Sequence, residues 1–368
     1  MADYKVDTLL AHVGINADEK TGALVSPIHL STTYQHPEFG QSTGFDYTRT
    51  KNPTRANLEK TLAAIEQADY ALVTSSGMAA LVLLFSGFPV GSRIVAARDL
   101  YGGSFRWFNE QEANGRFTFS YATHEEELLD QITDETDYVF IETPTNPLMV
   151  EFDIVRVAEV AHAHGAKLIV DNTFYSPIYQ NPIPLGADVV LHSATKYLSG
   201  HNDVLAGVLI TNDQALYDKL FYDQNTTGPT LSPFDAYLLM RGLKTLSLRM
   251  ERSTKNAQKI VDYLRRSPAV REVYYTGKGG MVSVKVLDEW KIPTILNQLK
   301  VFTFAESLGG VESLITYPAT QTHADIPREV RYSYGLTDDL LRLSIGIEDA
   351  EDLIDDLKQA LEDEYGKI

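Results

Sequence analysis

The sequence contains no cysteine, which excludes disulfides, iron–sulfur clusters, thiolate zinc sites and a cysteine nucleophile. Positive charge is scarce: 32 Lys and Arg against 50 Asp and Glu leave a net charge of −18. Nucleic acid and anionic membrane both demand a basic footprint, so neither is expected as a partner. Long hydrophobic runs are missing too. No stretch of 18 apolar residues occurs, and Met1-Ala-Asp-Tyr-Lys-Val-Asp7 lacks an apolar signal core. A cytoplasmic protein is the expectation. Metal-type spacing is equally absent. His162 and His164 stand two apart and point to different sides of a helix, and His192 and His201 follow no zinc pattern. All four read as structural, with no metal expected.

What is present is an α/β pattern. With 368 residues, 44% hydrophobic and 22% charged, the chain suits a globular protein of about two domains. Residues 1–50 carry turn formers but also Leu24, Val25, Ile28, Leu30, Tyr34, Phe39 and Phe45, the content of an arm laid on another surface. Thr54 is a plausible N-cap for a helix through Gln67. From residue 70, strands alternate with helices: 70–74, 94–97, 117–121, 138–142, 167–171 and 189–191 are strand-like. The intervening helices fall at about 75–80, 104–114, 125–132 and 154–164. Such alternation predicts a mostly parallel sheet with helices on both faces and ligands at the strands' carboxyl ends. A boundary near Gly228-Pro-Thr-Leu-Ser-Pro233 precedes a long helical stretch, 234–266, broken near Gly242. A second, smaller α/β domain follows, ending in a helix from Ala350 to about Leu361. The division is 1–50, 51–230 and 231–368.

Chemistry concentrates at the strand ends. Asp188 to Leu191 delivers Ser193, Thr195 and Lys196 into a turn. A lysine there suits a Schiff base with an aldehyde cofactor, and the two hydroxyls can donate to its phosphate. The strand Lys167-Leu-Ile-Val-Asp171 ends in an acid able to keep a pyridine nitrogen protonated. Alone, Lys196 reads better as a solvated loop lysine and Asp171 as a helix or turn cap. Together they make pyridoxal 5′-phosphate (PLP) the leading reading. Ser75-Ser-Gly-Met78 opens a helix at another strand end. Its N–H groups and dipole favour an anion, and Gly77 allows close approach. Neither G-x-G-x-x-G nor a Walker A loop is present.

Ser193-Ala-Thr-Lys-Tyr-Leu-Ser-Gly-His-Asn-Asp203 and Val170-Asp-Asn-Thr-Phe174 resemble the Cys/Met-metabolism family of PLP enzymes. The likeness runs from about Thr8 to about Leu361 and is nearest to the cystathionine γ-synthase/O-acetylhomoserine thiolyase branch. It implies a PLP-transferase (aspartate-aminotransferase-like) fold, with a large domain built on a mostly parallel sheet and a smaller C-terminal α/β domain. It implies that Lys196 carries PLP, that Asp171 faces the ring nitrogen, and that Thr173 also lies in the cofactor site. Gly77, Met78, Ser193 and Thr195 would hold the phosphate, joined by Tyr47 and Arg49 from an adjacent subunit. Tyr101 would stack on the ring and assist proton transfer. Asn146, in a loop stiffened by two prolines, would touch the phenolic oxygen or the substrate carboxylate. Arg342 and Ser307 would hold the α-carboxylate.

The resemblance also implies that Glu306 lies on the substrate side. The family's γ-acting enzymes commonly carry glutamate at this position and its β-lyase branch tyrosine. Gly103 stands where methionine γ-lyases usually carry cysteine, which weakens that reading. The implied reaction is γ-replacement on an O-acyl-L-homoserine by L-cysteine (or sulfide), giving L-cystathionine (or homocysteine), in methionine biosynthesis and transsulfuration. Cystathionine γ- or β-lyase activity is the alternative. The implied partners are small amino acids and further copies of the chain, in a homotetramer built from dimers that share active sites. From another class, a non-catalytic doubly wound protein binding a phosphorylated ligand also fits parts of the pattern.

Overall fold

Short apolar runs, five or six residues long in all but two of the strands, give the computed structural model its strands. The model describes residues 4–15 and 18–365, so residues 1–3 and 16–17 of the expected arm lie outside the described residues. The larger sheet has seven strands: β1 (Tyr70–Thr74), β2 (Ser92–Ala97), β3 (Phe117–Ala122), β4 (Tyr138–Glu142), β5 (Lys167–Asp171), β6 (Val189–Ser193) and β7 (Gly207–Thr211). The smaller sheet comprises β8 (Val270–Tyr274), β9 (Met281–Val286), β10 (Thr303–Phe304), β11 (Leu314–Thr316) and β12 (Leu340–Ser344), in the order β10-β11-β12-β9-β8. This is the mixed α/β architecture that the alternation predicts. The chain forms two units, Met1–Pro89 with Leu168–Ser247, and Val90–Lys167 with Leu248–Ile368.

In the first unit the strand order is β1-β7-β6-β5. β5 and β6 run parallel, with Asp171 opposite Leu191. β7 is antiparallel to both β6 and β1. No strand was expected at 207–211, yet all five residues of Gly207-Val-Leu-Ile-Thr211 are buried, the mark of a strand covered on both faces. The helices here include α1 (Val6–Ala11), α2 (Pro53–Ile65) and α3 (Gly77–Ser86). Asn52, not Thr54, caps α2: its side chain accepts from Thr54 N–H at 2.9 Å and Arg55 N–H at 3.3 Å, with Pro53 at the first position. The Thr54 hydroxyl instead lies 2.9 Å from His29 N–H and 3.1 Å from the Pro27 carbonyl, pinning part of the arm.

The expected helix break near Gly242 lies slightly later. One helix spans Pro233–Leu243 and the next begins at Leu246, so Gly242 is inside the first. A glycine is needed there for another reason. A Cβ at Gly242 would stand 2.3 Å from the carbonyl oxygen of Ser199, three residues beyond Lys196. The sequence boundary at 228–233 also lies inside this unit, where Gly228 caps the helix Gln214–Thr227 at φ +89°.

In the second unit β4, β2 and β3 run parallel in that order. Helix α4 (Gly102–Ala113) packs through Phe108, stacked on Phe119 with centroids 4.5 Å apart and edge-on to Phe140 at 5.4 Å. The smaller sheet has its own core, in which Val282, Val284, Leu341 and Leu343 meet Leu353, Leu357 and Leu361 of the last helix. That helix runs Ala350–Tyr365, a turn longer than its apolar stripe predicts.

Gly242→Ala sets a methyl group against backbone that has no flexible end to yield. The substitution is expected to destabilise the protein by about 1–3 kcal/mol and to displace the Lys196 turn. Denaturant unfolding would show a lower midpoint, and cofactor retention on gel filtration would fall with it.

Candidate active site

Parallel neighbours present their carboxyl ends at one edge, so β5 and β6 place Asp171 close to the turn that follows Ser193. Thr173 joins them. Its N–H and hydroxyl donate to Asp171 Oδ1 at 3.0 and 2.5 Å, and its Oγ1 accepts the N–H of Ser193 at 2.8 Å. Thr173, expected in the cofactor site, therefore acts as a brace between two strand ends. Asp171 Oδ2 takes no hydrogen bond from the described chain. Burial raises the Asp171 pKa, opposed by the Thr173 hydrogen bonds and the charge of His192. A carboxylate in this state favours a cationic N–H partner.

The lysine turn is held by its backbone. Lys196 N–H donates to the Ser193 carbonyl at 3.1 Å, and the Lys196 carbonyl accepts from Gly200 N–H at 2.8 Å. Thr195 Oγ1 accepts from Ala206 N–H at 3.0 Å and lies 3.2 Å from the Ala206 carbonyl, which takes its proton. To serve a phosphate, this hydroxyl would have to turn.

Beside the turn sits the N-terminus of α3. Ser76 caps it by accepting from Ala79 N–H at 3.0 Å, while the N–H groups of Gly77 and Met78 meet no acceptor in the described chain. A Cβ at Gly77 would stand 2.9 Å from Ser193 Cβ and 3.1 Å from Ser193 Oγ, so the glycine is what lets this helix end reach Ser193. The Ser193 hydroxyl likewise has no partner in the described chain. Two N–H groups, a hydroxyl and a helix dipole fit a phosphate, and Asp171 Oδ2 fits a ring N–H, so these residues suit PLP.

Tyr47 and Arg49 are exposed on the same unit. The Arg49 guanidinium lies 5.4 Å from the Tyr47 ring centroid, and its Nε donates to Asn225 Oδ1 at 3.3 Å. Buried Arg55 holds this turn by donating to the carbonyls of Arg49 and Thr50 at 3.2 and 3.0 Å. His192 is structural, its Nε2 2.5 Å from Glu66 Oε1, with both side chains buried. Among the described residues, no three His, Asp or Glu side chains are grouped to hold a metal ion.

The second unit carries the remaining predicted residues. Arg342 on β12 is 1% exposed. Its Nη1 donates to Asn146 Oδ1 at 2.8 Å, and its Nη2 to the Ser307 carbonyl at 2.9 Å and Thr316 Oγ1 at 3.2 Å. The period-2 pattern of β12 does not mark it as buried, yet every residue of this strand is. Ser307 meets Arg342 through its carbonyl, with φ +90°, and Glu306 is exposed. Tyr101, 42% exposed, precedes α4 and donates its N–H to Glu142 Oε1 at 2.9 Å. Asp99 accepts from Leu148 N–H at 3.0 Å, and burial pushes its pKa up to about 6.

Sequence reasoning missed His323. Its Nε2 lies 3.2 Å from the Leu100 carbonyl and 3.1 Å from the Asn146 carbonyl, and its Nδ1 lies 2.8 Å from Thr322 Oγ1. Burial and the Arg342 charge pull its pKa down to about 4. No periodicity or motif marks it.

Comparison with known proteins supplies the class. The family model described as "Cys/Met metabolism PLP-dependent enzyme" matches residues 7–362. The chain belongs to that family, and PLP is its cofactor. It is 51% identical over 358 residues to the cystathionine gamma-synthase/O-acetylhomoserine (thiol)-lyase of Bacillus subtilis, covering 97% of this chain and 96% of the relative. It is also 46% identical to a cystathionine gamma-lyase of the same organism, covering 97% of this chain and 99% of that one. The crystal structure of a cystathionine gamma synthase from Xanthomonas oryzae pv. oryzae, in complex with aminoacrylate and cysteine, superposes with a TM-score of 0.96 at 39% identity, covering all of both chains. The expected PLP-transferase fold is thereby established.

Asp171→Asn separates folding from cofactor binding. Because burial raises the folded pKa of Asp171 above its unfolded value, ionised Asp171 costs stability. That cost is absent below the unfolded pKa of about 3.9 and complete once pH exceeds the folded value. At pH 7–8 the cofactor-free variant is therefore expected to melt no lower than cofactor-free wild type. Its dissociation constant for PLP should nevertheless rise at least about ten-fold, read by absorbance titration.

Proposed function

We propose that the protein catalyses γ-replacement. An O-acyl-L-homoserine and L-cysteine (or sulfide) give L-cystathionine (or homocysteine), and the acyl group departs as its carboxylic acid. The observation that carries this choice is Glu306, an exposed carboxylate next to Ser307, whose carbonyl Arg342 holds. An exposed acid beside the carboxylate-binding arginine attracts the ammonium of a second amino acid and repels hydrosulfide, which favours cysteine as the sulfur donor. The double name of the B. subtilis relative supports the same reading.

Bound PLP supplies an electron sink for bond breaking at the substrate's carbons. Asp171 Oδ2 would hold the ring nitrogen's proton, braced by Thr173. Gly77, Met78, Ser193 and, with its hydroxyl turned, Thr195 would bind the phosphate, while Tyr47 and Arg49 would serve the phosphate of an adjacent subunit. Lys196 would carry the cofactor at rest and, once neutral, move protons at substrate Cα and Cβ. Tyr101 would stack on the ring and assist that transfer. Arg342, with Asn146 and Ser307, would orient the α-carboxylate. The reading includes a cytoplasmic homotetramer of site-sharing dimers, with residues 1–50 as the arm between neighbours, 51–230 as the PLP-binding region and 231–368 as the substrate side. Elimination from cystathionine is the second reading, favoured by the γ-lyase relative.

Two parallel incubations with PLP test the proposal by mass spectrometry. One contains O-acetylhomoserine, O-succinylhomoserine and cysteine; the other contains cystathionine alone. Cystathionine formation with little cleavage is expected, and the donor consumed names the acyl group. Cleavage without synthesis would establish a lyase instead. Lys196→Ala should lose both turnover and the long-wavelength absorbance of lysine-bound cofactor, and wild-type turnover in that variant would overturn the mechanism.

A further inference from the structure

His323 is a buried imidazole set among backbone carbonyls in the second unit. Both neighbours of Nε2, the Leu100 and Asn146 oxygens, are acceptors only, so Nε2 must carry a hydrogen and divide it between them. Nδ1 is then the acceptor, and the Thr322 hydroxyl donates to it at 2.8 Å. A pKa near 4 keeps the ring in this one neutral form. The segment bearing it has little freedom to shift: a Cβ at Gly102 would stand 2.1 Å from the Thr322 carbonyl oxygen, so this backbone lies directly on the start of α4.

The two carbonyls bound by His323 belong to the two loops that present predicted site residues. Leu100 immediately precedes Tyr101. Asn146 carries the amide that accepts from Arg342 Nη1 at 2.8 Å. The loops are already tied through Glu142 to Tyr101 N–H and Asp99 to Leu148 N–H. The first tie also sets the plane of the Leu100–Tyr101 peptide, and His323 holds the carbonyl side of that same peptide. Neither tie reaches the Asn146 carbonyl, which His323 joins to the Leu100 carbonyl, and those carbonyls fix where the Tyr101 ring and the Asn146 amide start from.

We propose that His323 is a positioning residue for amino-acid substrates: its Nε2–H clamps the carbonyls of Leu100 and Asn146, and so aligns Tyr101 and the Asn146–Arg342 pair to receive the substrate's α-carboxylate. The inference rests on the carboxylate role given to Arg342 above. His323 touches no reacting atom itself, and its effect passes through the two loops.

The test uses the full-length, PLP-loaded protein with His323→Phe, which keeps a ring and removes the donor, and His323→Gln, whose amide N–H can reach the Nε2 position. Steady-state kinetics use the substrates that the wild type turns over. The dissociation constant for glycine is read from the cofactor's absorbance, and PLP affinity and the melting midpoint are measured alongside. In His323→Phe the KM and the glycine constant are expected to rise about ten-fold, the scale of one buried hydrogen bond lost. PLP affinity should change much less than the KM, because only the Tyr101 stacking contact passes through these loops, whereas Lys196, Asp171, Ser193, Gly77 and Met78 do not depend on them. His323→Gln should recover most of the loss. Wild-type KM and glycine binding in His323→Phe would overturn the inference. Equal damage in both variants, with PLP affinity falling in step with the melting midpoint, would overturn it too, by showing a purely structural role. A wild type that binds PLP but neither glycine nor any amino-acid substrate would instead defeat the carboxylate reading of Arg342.

Discussion

The parallel pairing of β5 with β6 is the constraint on which the first unit of this protein depends. It sets Asp171 opposite Leu191 and lets Thr173 reach back to Asp171 Oδ1 while accepting from Ser193. Side chains alternate along a strand, so a slip of one residue would turn Asp171 to the other face and part Thr173 from Ser193. The remaining features follow from this register. The turn bearing Lys196 hangs from the end of β6, and β7 returns antiparallel to close the turn through Ala206. Helix α3 docks on Ser193 through Gly77.

Both units bury charged or titratable groups, and in each the burial is matched by specific partners. Arg342, almost fully buried, is surrounded by Asn146, Ser307 and Thr316. Glu66 and His192 form a buried pair, with Asn172 and Asn181 donating to the same carboxylate at 3.3 and 3.2 Å. Buried polar and charged groups of this kind add little net stability even when partnered, because desolvation offsets the attraction. What they supply here is direction. Each admits one arrangement of its loops, and a misplaced loop would leave a charge without its partner.

Much of this arrangement could be read from the chain alone, and what escaped has a common cause. Asp171, Ser193 and Lys196 stand at or just beyond the ends of adjoining strand-like runs, and Gly77 and Met78 open a helix, so local pattern suffices to place them on their elements. Arg342 is visible as a charge inside an apolar strand. His323 was invisible because its partners, Leu100 and Asn146, are 223 and 177 residues away. The Arg49–Asn225 contact, separated by 176 residues, escaped for the same reason. Gly242 was read as a helix breaker because a glycine's local and long-range reasons look alike in a sequence. β7 was missed because three apolar side chains, Val208 to Ile210, after a long turn are too few to separate a strand from a buried loop.

Three places near the predicted site share a feature: backbone lies directly on a glycine. The carbonyl of Ser199 meets Gly242, that of Ser76 meets Gly207, and that of Thr322 meets Gly102. In each the nearest atom is a backbone carbonyl oxygen, although at Gly207 the Thr74 hydroxyl also lies 2.6 Å from where a Cβ would stand. The loops therefore keep their paths while exposed residues such as Glu306 are free to change. A scaffold of this kind separates the paths of the loops from the identities of the side chains exposed on them. It accounts physically for how synthases and lyases can share nearly the whole length of one chain, and it makes this protein a suitable frame for altering which sulfur compound is made or broken.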